Sequence, residues 1–106
     1  MNSLLNESDW RHELDWLDEQ GDAMLQLVEK LANINSGTFN LDGLKTVESC
    51  LTHEFSKLGG DLSILESRPQ SSINSAGKME QQALGDILHI SKRSATKKKI
   101  LLCIHM

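Results

Sequence analysis

The stretch whose reading decides the fold is the last one, Lys97-Lys98-Lys99-Ile100-Leu101-Leu102-Cys103-Ile104-His105-Met106. A basic turn feeds five apolar residues that do not alternate with polar ones. A short run of this kind, rich in Ile and Leu, reads as a strand buried on both faces. It stops on a histidine at its carboxyl end, where α/β proteins place ligands and metals. His105 is therefore the first candidate for a functional side chain.

Working back from there, residues 84–93 read as another strand, with Asp86, Leu88 and Ile90 on one face and Ile87, His89 and Ser91 on the other. Ser94, Ala95 and Thr96 with the flanking lysines make a short connection to the closing strand. Residues 68–82 are polar, hold the only proline (Pro69) and show no period, which predicts a loop. Residues 61–67 alternate, with Leu62 and Ile64 on one side of a half-buried strand. Before them Leu44, Val47, Leu51, Phe55 and Leu58 recur at steps of three and four, the pattern of an amphipathic helix. Asn40 or Asp42 caps its start. Gly59, in the left-handed conformation, ends it.

Residues 33–40 form a polar loop by their Asn, Ser and Gly content. The first helix carries Trp10, Leu14, Leu17, Gly21, Met24, Val28 and Leu31 on one face. Ser8 is its expected N-cap, with Asp9 favouring the dipole and residues 1–8 a frayed start. Gly21 marks a place for a break or kink. The expected architecture is α/β: two amino-terminal helices followed by three strands of a mixed sheet. Two helices cover one face of such a sheet, so the other cover is expected from further sequence.

Composition sets bounds. At 106 residues the chain is one domain or part of one. Aromatic content is 4%, so any core rests on Leu, Ile and Val. The net charge of −4 argues against a general nucleic-acid binder. The basic residues Lys92, Arg93, Lys97, Lys98 and Lys99 have no aromatic interleaved, which favours a solvated turn. Cys50 and Cys103 read as free buried thiols that suit a reducing compartment. With no signal-peptide pattern and no apolar run near the ~20 residues of a membrane span, a cytoplasmic chain that enters no membrane is expected.

Several stretches together resemble the start of a metallopeptidase catalytic domain. They are Leu27-Val28-Glu29-Lys30-Leu31-Ala32-Asn33-Ile34-Asn35-Ser36-Gly37-Thr38, then Lys57-Leu58-Gly59-Gly60, then Gly85-Asp86-Ile87-Leu88-His89-Ile90, and the closing residues 99–106. The family is the co-catalytic zinc hydrolases that include glutamate carboxypeptidase, aminoacylase and succinyl-diaminopimelate desuccinylase. The Asn-Ser-Gly-Thr loop and the Leu-Leu-x-x-His-Met ending are most similar to the glutamate carboxypeptidase branch. The likeness runs over residues 22–106 and is spread over many positions.

The resemblance implies a zinc-exopeptidase-like domain of which residues 1–106 are an amino-terminal fragment. It implies two zinc ions in the complete enzyme, with a water activated between them attacking the amide bond of a small peptide or N-acyl amino acid. His105 matches the metal-binding histidine of the family's His-x-Asp, and Met106 its middle position. The aspartate, a bridging aspartate, a Glu-Glu pair, a further acidic ligand and a distant histidine have no counterpart here.

Elementary coordination chemistry then predicts a chain inactive by itself and without tight zinc. Catalytic zinc usually takes three protein ligands plus water, and paired ions need a bridging group that holds them about 3.5–4 Å apart. His12 and His53 lie on helices and His89 is mid-strand, so none completes the set. Glu29, Glu48 and Glu54 read as helix-surface carboxylates. Cys103 shares a strand face with His105 and reads as inert packing. The alternative reading is a small non-catalytic α+β interaction module. The fragment reading adds an exposed apolar terminal strand open to self-association.

Overall fold

The computed structural model describes residues 10–105. The expected frayed start over residues 1–8, the Ser8 cap and the position of Met106 lie outside them. The chain divides between Asn33 and Ile34 into two units.

The first unit is a helical pair, α1 (Arg11–Glu19) and α2 (Gly21–Ala32). The single helix expected here is broken at Gln20, which ends α1 and begins α2 while keeping a right-handed helical backbone. Gly21 opens the second helix, so the weak helix former sits at a boundary where its cost is least. The apolar face is present but uncovered within this unit. Trp10, Leu14, Leu17, Met24 and Val28 are all exposed, and neither helix contributes a buried residue. The pair exposes this stripe because the two helices touch each other over only a short length.

The second unit holds α3 (Leu41–Ser56) and four strands, β1 (Asp61–Leu65), β2 (Gln70–Ile73), β3 (Met79–Gln82) and β4 (Ile87–Ser91). β1 and β4 pair antiparallel from Asp61 opposite Ser91 to Leu65 opposite Ile87. This register sets Leu62 against Ile90 and Ile64 against Leu88, so four apolar side chains share one face. β2 and β3 form a separate antiparallel hairpin, Gln70 opposite Gln82 and Ile73 opposite Met79. The described residues are thus mixed helix and strand, with two small antiparallel sheets.

Asn40 caps α3 as its sequence predicts: its Oδ1 accepts from the Gly43 N–H at 3.1 Å. The same side chain donates through Nδ2 to the Asn35 carbonyl at 2.9 Å, which folds the polar loop back onto the helix start. The approach is so close that a Cβ on Gly43 would overlap the Asn35 carbonyl. At the other end Gly59 has φ +68°, the left-handed value its place after a helix calls for. Gly60 lies against the end of β4, where a Cβ would sit 2.7 Å from the Ser91 carbonyl oxygen.

α3 turns Leu44 and Val47 inward, and these are the buried apolar residues among those described. Leu51, Phe55, Leu62, Leu88 and Ile90 surround them half-buried.

The two helices and single mixed sheet of three strands expected from the sequence give way, among the described residues, to three helices and four strands in two separate antiparallel pairs. Three further expectations need correction. The stretch 68–82 is not a loop but carries the β2–β3 hairpin. Its turn is built by polar groups: Asn74 Oδ1 accepts from the Ala76 and Lys78 N–H groups, and Asn74 Nδ2 donates to Glu80 Oε1. The strand expected at residues 100–104 has no strand partner, and Ile100, Leu101, Leu102 and Ile104 are 74–90% exposed. A run of apolar residues becomes a strand only where a neighbour supplies the ladder, and among the described residues none lies beside it. The helix-surface reading of Glu48 also fails, because Glu48 is 4% exposed.

Gly43→Ala should destabilise the second unit by about 1–3 kcal/mol through the forced shift of the Asn35 carbonyl. Urea unfolding followed by circular dichroism will measure it. Thr52→Val should act in the opposite sense. The Thr52 hydroxyl is buried without a hydrogen-bond partner, and an isosteric methyl removes a desolvation cost of about 1 kcal/mol or more.

Candidate metal centre and apolar groove

His105 stands at the end of the exposed segment 100–104. It helps to line an apolar groove of about 700 Å³ in the second unit. Leu51 and Phe55 of α3, Leu58 just after it, and residues 87–90 of β4, His89 included, line it as well, and residues 100–102 and 104 complete it. The sequence pattern places His105 at the end of an apolar run. It does not place a second ligand beside it.

Among the described residues no three His, Cys, Asp or Glu side chains gather as a metal would require. His12 and His53 are exposed on α1 and α3, and Glu29 is exposed on α2. His89 is exposed on β4 and shares the groove with His105. Cys103 is exposed, and it does not line the groove as His105 does. The shared face expected from strand alternation is lost because the segment forms no strand. Cys50 is half-buried on α3, a free thiol as expected. The donor set therefore does not by itself fit a two-zinc centre.

A second cluster was not foreseen. Glu48 is buried on α3, and Lys45 one turn before it donates to Glu48 Oε1 at 2.7 Å. The same ammonium lies 3.6 Å from Asp86 Oδ2, just ahead of β4. Lys45 thus ties α3 to the segment entering β4 beside a small cavity of about 160 Å³ lined by Leu41, Leu84 and Gly85 among others. The hydrogen bond to Glu48 holds the Lys45 ammonium above its ordinary pKa of 10.5, desolvation opposes this, and the charges of Glu48 and Asp86 reinforce it. A signal for this cluster was legible: Glu48 falls four residues after Leu44 and beside Val47, on the inward face, with a lysine one turn back to neutralise it.

No family model, curated protein or solved structure matches the chain. No helix among the described residues is long and apolar enough to cross a membrane.

The Lys45–Glu48 pair gives a prediction with a definite sign. A lysine whose pKa rises on folding adds stability below its unfolded pKa and loses it as pH climbs through the folded one. The midpoint of thermal unfolding should therefore fall as pH passes upward through and beyond 10.5, and Lys45→Met should flatten that fall. At pH 7 Lys45→Met should lower the midpoint, since it strips a buried carboxylate of its partner. Adding Glu48→Leu should recover much of the loss. A double-mutant cycle by differential scanning calorimetry checks the coupling.

Proposed function

We propose that this chain is the amino-terminal part of the catalytic domain of a zinc-dependent hydrolase of the glutamate carboxypeptidase, aminoacylase and succinyl-diaminopimelate desuccinylase family. The complete enzyme would cleave peptide or N-acyl amino acid amide bonds. The 106 residues would be inactive alone. His105 would be one metal ligand, and the other ligands would come from further sequence.

The observation that carries the reading is the segment 100–105. Five apolar residues end in an imidazole on an apolar groove, and the apolar side chains are 74–90% exposed at four of the five positions. Such a surface, in a protein that has buried only Leu44 and Val47 among its described apolar residues, is what a domain looks like when one face still lacks its cover. The stretches of family resemblance fall on the end of α2, the loop before α3, the turn just after α3, β4 and this segment.

Reading the transcript past the Met106 codon tests the assignment. The expected continuation is an aspartate as the next residue and a Glu-Glu pair further on; a frame without them removes the basis of the reading. Calorimetric titration of the 106-residue chain with zinc chloride should show no submicromolar site, since one imidazole cannot hold the ion tightly. A submicromolar site on this chain would count against an incomplete centre. A cooperatively melting, metal-free monomer would favour the interaction-module alternative instead.

A further inference from the structure

We propose that the 106-residue chain forms a closed two-fold dimer in which residues 100–104 of each copy enter the groove of the other as an added strand on β4. This inference shares the exposed segment 100–104 with the hydrolase reading and needs no metal.

Three observations carry it. Among the described residues β4 has β1 as its strand neighbour on one side and none on the other, so one edge of its backbone N–H and C=O groups is open to pairing. The segment 100–104 is as long as β4, five residues each, and is apolar throughout. It is exposed and belongs to no strand. The groove is lined both by β4 and by the chain's own segment. A strand from a second copy seated there meets both. Two-fold symmetry then gives one continuous order: β1, β4, the second copy's segment, the first copy's segment, and the second copy's β4 and β1.

Charge selects the direction. From residue 87 to residue 106 the chain has no acidic residue and five basic ones, Lys92, Arg93, Lys97, Lys98 and Lys99. Parallel pairing of the two segments would set six lysines side by side. Antiparallel pairing parts the two lysine runs by about five residues, roughly 17 Å, beyond the screening length of about 8–10 Å.

The turn after β4, closed by the Thr96 N–H and hydroxyl on the Arg93 carbonyl, turns the chain back. The second copy's lysines then arrive at the end of the sheet where Leu65 pairs with Ile87. Glu66 and Asp86 flank that end, so opposite charges meet there. As a strand the segment turns Ile100, Leu102 and Ile104 to one face; at roughly 100 Å² each, with an equal area of groove wall, they bury about 600 Å² per copy. The two copies together reach about 1,200 Å², the lower end of the range for specific interfaces.

Sedimentation velocity on the full chain across a concentration series tests the proposal. The expected result is a monomer–dimer equilibrium with no larger species. The dimer should weaken about tenfold or more when Lys97, Lys98 and Lys99 are changed together to Glu. Leu102→Pro, which removes a ladder donor, and Leu102→Lys, which spoils the apolar strand, should both give monomers. Hydrogen exchange should show protection of β4 and of residues 100–104 rising together with dimer concentration. The mutated position lies outside every helix and strand, so the far-ultraviolet dichroism of α3 should persist and exclude misfolding. A monomer at every concentration overturns the proposal. So does a monomer that binds phosphatidylserine vesicles through the basic segment, an open-ended ladder of oligomers, or a dimer indifferent to both Leu102 variants.

Discussion

The second unit depends on the packing of one helix against one pair of strands. α3 presents Leu44 and Val47 to the β1–β4 pair, and every other apolar neighbour of that contact is only half-buried. Full burial of such side chains is worth about 1.5–3 kcal/mol each, which leaves polar ties with a large share of the work. Asn40 fastens the preceding loop to the helix start. Lys45 and Glu48 fasten the helix to the entry of β4. Both ties lie in the first half of α3, on or beside its inward face. The helix is thus anchored at its amino-terminal half, while its later apolar residues, Leu51 and Phe55, open into the groove with Leu58 just beyond its end.

That asymmetry explains which parts were legible beforehand. The span of α3, its Asn40 cap and the left-handed Gly59 follow from local rules, because the capping side chain and the glycine act within a few residues of their own positions. The alternation in β1 and β4 likewise reports a half-buried pair. The β2–β3 hairpin was hidden because Gln, Ser and Glu dominate its strands and the apolar period used to find strands is absent. Its signal was Asn74 with Gly77 three residues on, a polar turn that needs no hydrophobic support.

The misreading of residues 100–104 has a different origin. Hydrophobicity reports that a segment wants burial and says nothing of whether the covering surface exists. Glu48 was misjudged because a charged residue was assigned to the surface by type. Its position relative to Leu44 and Val47 pointed inward, and the flexible Lys45 side chain, still 62% exposed, is what makes that position tolerable.

The missing side chain at Gly60 has a consequence for how β1 is aligned. Because a Cβ there would stand 2.7 Å from the Ser91 carbonyl oxygen, only glycine can occupy the place beside the end of β4. Sliding β1 by one position would bring the neighbouring Asp61 or Gly59 to that spot. Asp61 carries a Cβ and would collide, and Gly59 would have to surrender its left-handed backbone. The same slip would turn Leu62 and Ile64 to the opposite side of the sheet. An absent methyl group therefore works as a stop that holds the two strands in step, where the thin apolar layer beneath them is too small to do so unaided.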